Sequence, residues 1–595
     1  MRLFIMLILA LSFIPLNAQE KMEDDYNLSS DLFQLAQLYE INPKAAFKRI
    51  QNEQFYPINE KNQKLILLIQ EGYQTKTTLN TLYLNQINID YYNVYRNAAS
   101  VEIGLDELLS IGRLLKDPFL IRSNAEIILS NEAPSKTNAG PFHDAGINGN
   151  GIKIGIIDIG FAGLTDAANS GQAPSSYAIR NYSPNNFESG ITHGTACTEI
   201  VYDFVPNASY YLYKIQTPAD LGLVMSQAII DGVQIISLSM AFANQGWNDG
   251  TGLPNLAVKD ATDAGIIVVT SVGNFGESHY KSSWNDPDGD DIFNYPSGAD
   301  FNYFSVSPGG IAQISLQWVG TPSTSNDYDF YIYPTGTSNV VASSTSNNAY
   351  ESTIVENTSS STKQYRIKIE KKGSSSTTFQ FFMAGTSGAL SFFNDGGIMC
   401  PANSLEDLLF SVGTVNIDDY DHAVAFTRTY SSKGPTNNGN IAPDLSAPDG
   451  CTTLSYPGVN GFTGTSAAAP AAAGLMALFW SEHLYLNATD LTHLISKFAN
   501  LYKDWGIPGK DNEFGFGGIY LPPYYAQSKF IFKAASNPNP GLDGPIKTME
   551  EADLLSFPDV NLFFLGETFN DVNTTSLIMD KPNVYRSVGE DSVIK

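Results

Sequence analysis

Ser466 stands at the mouth of an Ala-rich run, in Gly461-Phe462-Thr463-Gly464-Thr465-Ser466-Ala467-Ala468-Ala469-Pro470. A helix N-terminus supplies N–H groups without intrahelical partners and a positive potential. Both favour an oxyanion developing beside the serine, so the chemistry invited here is attack by a hydroxyl. Asp158 ends an apolar strand, Ile152 to Ile157, at the edge where parallel sheets hold their ligands. His193 lies in Thr192-His193-Gly194-Thr195-Ala196-Cys197, and histidines are scarce in this chain, six in all. Asn274, in Ser271-Val272-Gly273-Asn274, carries an amide able to donate to an oxyanion. Taken singly, each stretch has a plainer reading. A strand-end aspartate caps a turn, a lone histidine is structural, a Gly-Asn pair makes a turn, and an Ala-rich run is a buried helix. Pro470, Ser466 and Glu482 argue against that run spanning a membrane.

Asp158-Ile159-Gly160, His193-Gly194-Thr195, Gly273-Asn274 and Gly464-Thr465-Ser466, in that order, resemble the subtilisin family of serine peptidases. Ala442 to Pro448 resembles the family's segment ahead of the nucleophile loop. The resemblance runs from Ala139 to Pro523 with one interruption. It implies a triad of Asp158, His193 and Ser466, with Asn274 and the Ser466 N–H holding the oxyanion. It also implies a substrate-binding strand at Ser239, Met240 and Ala241, and no metal in the chemistry. The function expected is that of a secreted serine endopeptidase acting on proteins or peptides through an acyl-enzyme on Ser466. A reading from another class is a catalytically inactive subtilisin-like binding or adhesive protein, and the presence of all four catalytic groups weighs against it. Three departures bear on specificity: Ile159 in place of Ser or Thr, Ala467 in place of Met, and Ser239-Met240-Ala241-Phe242 where the family often has Ser-x-Gly-Gly. Phe242 either narrows a subsite or packs in the core. Cys197 resembles the buried thiol of proteinase K-like enzymes and is expected to pack rather than react.

The elements that must position these groups follow from periodicity. From Gly151, apolar strands at Ile152–Ile157, Tyr210–Ile215, Val233–Leu238 and Ile266–Thr270 alternate with helical patterns at Leu221–Asp231 and Asn255–Ala264. That alternation predicts an α/β fold, a subtilisin-like parallel sheet with helices on both faces. Between residues 286 and 390 the texture becomes rich in Ser, Thr, Asn and Tyr, with alternating strands at Gln313–Val319, Tyr328–Tyr333, Gln364–Ile369 and Thr377–Met383. This predicts an all-β sandwich inserted into the catalytic domain, whose two parts are residues 136–285 and 391–525. It resembles the β-modules found inside some bacterial subtilisin-like peptidases. Asp286, Asp288 and Asp290 open the insert around Gly289, a spacing able to ligate calcium as a structural ion, or else a solvated acidic turn.

Arg2 precedes an apolar run, Leu3–Leu16, that ends in Asn17-Ala18-Gln19, the pattern of a signal peptide over residues 1–18. Residues 19–135 read as a small α+β unit, with strands at Lys64–Ile69, Ser100–Ile103 and Pro118–Ile121 and a helix at Leu105–Leu115. By the resemblance this is the chain's own inhibitory propeptide, released by self-cleavage near Leu129–Gly140. Residues 526–595 form an acidic tail with short strands at Asn561–Leu565 and Ser576–Met579, loosely like one coil of a parallel β-helix. A net charge of -27 disfavours nucleic acid and anionic membranes as partners, and a charged fraction of only 16% suits an extracellular protein. Three cysteines leave at least one thiol outside any disulfide, while permitting a Cys400–Cys451 bridge.

Overall fold

The computed structural model describes residues 133–524 apart from 244, 320–325, 347–349, 386–387 and 458–460, together with parts of 30–121 and three strands between 528 and 588. The signal segment, the strand expected at Ser576–Met579 and the larger part of the helix expected at Leu105–Leu115 lie outside the described residues.

The apolar runs form strands β1 (Lys153–Asp158), β2 (Tyr177–Asn181), β3 (Ser209–Lys214), β4 (Ile235–Leu238) and β5 (Ile267–Ser271). Helices α1 (His193–Phe204), α2 (Pro218–Asp231) and α3 (Leu253–Asp263) link successive strands from β2 onward. Neighbouring residues of a strand point to opposite faces. Ile235, Ile267 and Val269 therefore enter the core beneath α1, while Ile236 and Val268 enter the core beneath α2 and α3.

The insert follows β5. It comprises β6 (His279–Ser283), β7 (Asn302–Val306), β8 (Ile311–Trp318), β9 (Tyr328–Pro334), β10 (Ala342–Ser344), β11 (Tyr350–Glu356), β12 (Lys363–Lys371) and β13 (Thr378–Gly385). These make two four-stranded antiparallel sheets, ordered β6-β13-β8-β11 and β7-β12-β9-β10. Their inner faces share an aromatic core that includes Tyr280, Phe293, Trp318, Tyr328 and Phe379.

The chain then returns to the first sheet through β14 (Leu409–Asn416) and β15 (Leu445–Asp449), completing seven parallel strands in the order β15-β14-β5-β4-β1-β3-β2. Strand order reverses at β1, so a crevice opens at its C-terminal end, where Asp158 sits. Helix α4 (Thr465–Glu482) is buried from Thr465 to Trp480, which explains a composition apolar on every side. Helix α5 (Ala488–Lys503) is amphipathic and covers it.

Within residues 30–121 a helix, Ser30–Ile41, accompanies a five-stranded antiparallel sheet. Its strand Ala98–Ile103 meets the start of α2, where the buried Ser100 hydroxyl donates to Asp220 Oδ1 at 2.9 Å and also contacts the Thr217 hydroxyl. The tail strands Ser528–Phe532, Asn561–Leu565 and Val584–Val588 pair in parallel. Cys197, Cys400 and Cys451 are buried thiols outside any disulfide, so no Cys400–Cys451 bridge forms. Among the described residues no helix is long and apolar enough to cross a membrane.

Candidate active site

Asp158 and His193 meet because β1 ends where α1 begins. Asp158 Oδ1 accepts the N–H groups of Ile159 at 2.8 Å and Gly160 at 3.3 Å, which fixes the carboxylate plane. Oδ2 then faces His193 Nδ1 at 2.5 Å. Both side chains are almost wholly excluded from solvent. An ionised carboxylate only accepts, so the ring proton resides on Nδ1 and the lone pair is left at Nε2. Nε2 is buried and has no partner. The glycine after the histidine is a steric requirement. A Cβ on Gly194 would lie 2.6 Å from the Gly160 carbonyl oxygen and 2.7 Å from Asp158 Cβ.

Ser466 occupies the first turn of α4. The Cys197 sulfur ties it to the histidine, lying 3.9 Å from His193 Nδ1 and 3.8 Å from the Ser466 carbonyl oxygen. Phe462, four residues before Ser466, sets its ring edge-on to the imidazole, with centroids 5.2 Å apart. Proline has no N–H, so Pro470 removes the helical bond that would otherwise reach the carbonyl of Ser466. The Ser239 hydroxyl donates to that carbonyl instead, at 2.8 Å.

Asn274 is held by the same helix start. Its Oδ1 accepts both the N–H and the hydroxyl of Thr465, each at 3.1 Å. Two donors on one amide atom identify that atom as oxygen, and they leave Nδ2 with its hydrogens directed elsewhere. Ser432 staples the preceding turn, its N–H donating to the Gly273 carbonyl at 3.0 Å and its hydroxyl accepting from Phe275 N–H at 3.1 Å.

Gly464, before the nucleophile helix, adopts φ +102°, a conformation that side chains disfavour. Its N–H donates to Asp449 Oδ2 at 2.6 Å, and the fully buried Asp449 also receives Arg428 Nε at 2.8 Å and the Tyr430 hydroxyl. Burial is the largest influence on the Asp449 carboxyl and raises its pKa above the ordinary range, outweighing Arg428 and Tyr430. Sequence reasoning missed Asp449, Arg428, Tyr430, Thr465 and Ser432 as supports of the site. The available signal was Asp449 itself, a charge closing an otherwise uncharged strand.

The segment expected to bind substrate divides in three. Ser239 directs its hydroxyl to Ser466, Met240 and Phe242 pack in the core beneath α2 and α3, and Ala241 contributes to a cavity wall. Phe242 is therefore core packing. Its N–H also donates to the Cys400 carbonyl at 2.9 Å.

Among the described residues, two groups of side chains come close enough to share a cation. Asp158, His193 and Cys197 do so within the site itself, but burial, the largest influence, raises the Cys197 pKa and keeps the thiol protonated. Asp286, Asp288 and Asp290 do so on the insert, where Asp286 already accepts the N–H groups of Gly289, Asp290 and Asp291.

A doubly wound parallel sheet with an Asp–His pair at the end of its first strand, close to a helix start that carries a serine, defines a subtilisin-like hydrolase fold. The chain belongs to the subtilase family, peptidase family S8, whose profile matches residues 149–517. It is 30% identical over 179 residues to a thermostable alkaline protease of Halalkalibacterium halodurans, a match that takes in 28% of this chain and 48% of that protein. The chain thus spans about half the length of that curated relative. Among solved structures, the Clostridium perfringens CspB protease is similar at a TM-score of 0.44 and 14% identity, covering 65% of this chain and 97% of that one. Sphericase is similar at a TM-score of 0.35 and 16% identity, covering 63% and 93%.

Proposed function

We propose that the chain is a secreted serine endopeptidase that cleaves proteins or peptides through an acyl-enzyme on Ser466. One observation carries the reading. The His193 imidazole, its proton fixed on Nδ1 by Asp158, keeps a buried and unpartnered Nε2 beside the helix turn that presents Ser466. As Ser466 Oγ bonds to the scissile carbonyl carbon, its proton passes to Nε2, and Asp158 stabilises the resulting imidazolium. The carbonyl oxygen becomes an oxyanion, which Asn274 Nδ2 and the Ser466 N–H receive. Collapse of the adduct breaks the C–N bond, and Nε2–H protonates the departing amine. Water then enters by the same route and frees the acid.

Residues 19–135 act in this reading as the chain's own inhibitor and chaperone. Their described part seats Ser100 against the capping residues Thr217 and Asp220 of α2, which supports a docked rather than independent role. Calcium on Asp286, Asp288 and Asp290 is a structural extra that the chemistry does not use.

The test is covalent labelling by a fluorophosphonate together with casein hydrolysis. Wild type labels and digests, and Ser466→Ala does neither. Ser466→Ala also remains joined to residues 19–135, read by N-terminal sequencing. Absence of labelling in the processed wild-type protein overturns the reading in favour of a binding protein.

A further inference from the structure

β10 and β11 lie next to one another along one margin of the inserted sandwich, each at the end of its own sheet. Among the described residues each pairs with a single strand, so its other edge leaves backbone N–H and C=O groups open to a partner. The margin is nonetheless covered. Glu351 to Val355 are all buried, although successive residues of a strand point to opposite faces. Val355 belongs to the sandwich core, and its neighbour Ile354, which points the other way, is only 4% exposed. Ala342 and Ser344 of β10 are buried as well.

Helix Ser30–Ile41 lies across this margin, against both β10 and β11. Leu32, Leu35 and Ala36 are buried and share one face by their spacing, while Glu40 is exposed. A helix of 12 residues is marginal by itself and depends on packing such a face. Among the described strands, β10 and β11 are its main neighbours, ahead of any strand of its own sheet.

The same N-terminal unit is held at a second place. Its strands Tyr92–Tyr95 and Ala98–Ile103 lie on α2, with Ser100 bonded to Asp220 and Thr217 at the helix start. Two attachments joined by one chain raise the effective concentration of each at its site, so together they hold far more tightly than either alone.

We propose that the β10–β11 margin of the inserted sandwich is the docking surface for helix Ser30–Ile41, and that this attachment keeps residues 19–135 bound after the chain is cut behind them. The proposal rests on reading residues 19–135 as the chain's own inhibitor and adds where that inhibitor is held. It gives the insert a part in latency: the cut alone does not free the site until the helix lets go.

The test uses the full chain as Ser466→Ala, with a recognition sequence for an added protease placed at Leu129–Glu132. The cut protein is followed by size exclusion, thermal melting and amide hydrogen exchange. Residues 19–135 are expected to co-elute with the remainder. Leu32→Glu/Leu35→Glu puts charge into the buried face and speeds their release by at least about 100-fold, since one buried leucine is worth roughly 10- to 100-fold in binding. It also raises exchange at Ala342–Ser344 and Tyr350–Glu356. Leu35→Ala, a milder change for a chain that must still fold, speeds release about tenfold. Glu40→Ala, exposed on the same helix, changes neither release nor exchange. Immediate loss of residues 19–135 from the cut, folded protein with an unaltered helix overturns the proposal. So does release that is unchanged in the leucine variants, or that quickens while exchange at β10 and β11 stays as it was. The inhibitor reading is tested apart, in the chain that keeps Ser466, by fluorophosphonate labelling before and after residues 19–135 are stripped away. Equal labelling overturns that reading and leaves the docking surface standing.

Discussion

Thr465→Val isolates how Asn274, the proposed oxyanion donor, is aimed. The substitution removes one of the two hydrogen bonds to Asn274 Oδ1, the hydroxyl contact at 3.1 Å, and leaves the Thr465 N–H contact, also at 3.1 Å, in place. Thr465 is fully buried, and valine has nearly its shape, so the change falls on the hydrogen bond. A neutral hydrogen bond is worth about 0.5–1.5 kcal/mol, which corresponds to a factor of about 2–10 in rate. If, as proposed, the Asn274 amide engages the oxyanion and not the ground-state substrate, the loss belongs in kcat with KM little changed. Deleting the donor outright in Asn274→Ala costs about 10²–10³ in kcat, a figure that comes from removing the equivalent donor in subtilisin, another member of this family. If Thr465 acts only by orienting Asn274, the double variant is no slower than Asn274→Ala alone. The assay is a double-mutant cycle in kcat and KM on one fluorogenic peptide. Effects that multiply in the double variant would show that Thr465 supports catalysis by a separate route and refute the orientation argument.

Two further perturbations probe the frame. In Gly194→Ala the new methyl lies 2.6 Å from the Gly160 carbonyl oxygen and 2.7 Å from Asp158 Cβ. Relief of that clash shifts Asp158 away from His193, and kcat/KM on a peptide substrate falls by about 100-fold, the usual penalty for misplacing a catalytic group by an ångström. Burial raises the Asp490 carboxyl, in the first turn of α5, from 3.8 to about 6. A folded pKa above the unfolded value means that the native state holds the proton more tightly. Its stabilising contribution is therefore full below about pH 4 and is lost as pH rises through about 6. Asp490→Asn stays neutral, so its melting temperature should match wild type near pH 4 and exceed it above about pH 7. Melting curves that run parallel across that range would place the carboxyl in a different environment.

Within the motifs, sequence and structure agree for reasons local to the chain. Gly194 must be glycine because the β1 end and the start of α1 touch, and Gly464 because the turn into α4 needs a positive φ. Such constraints act between a motif and its immediate neighbours, so they show in short stretches of residues. Strand periodicity is equally local, which is why the insert at Gln313–Val319 and Thr377–Met383 was readable as alternating β structure.

What only the tertiary structure decided is how separate segments meet. Pro470 announces that the Ser466 carbonyl loses its helical partner, but not that Ser239 supplies the replacement, a contact spanning 227 residues. Asp449 reads as the one charge in a short strand until Arg428, Tyr430 and the Gly464 N–H converge on it. The sequence by itself determined the chemical groups and the backbone shapes that present them, because those depend on neighbours along the chain. The hydrogen bonds that aim those groups depend on packing between elements far apart in the chain, and only the folded molecule specifies that.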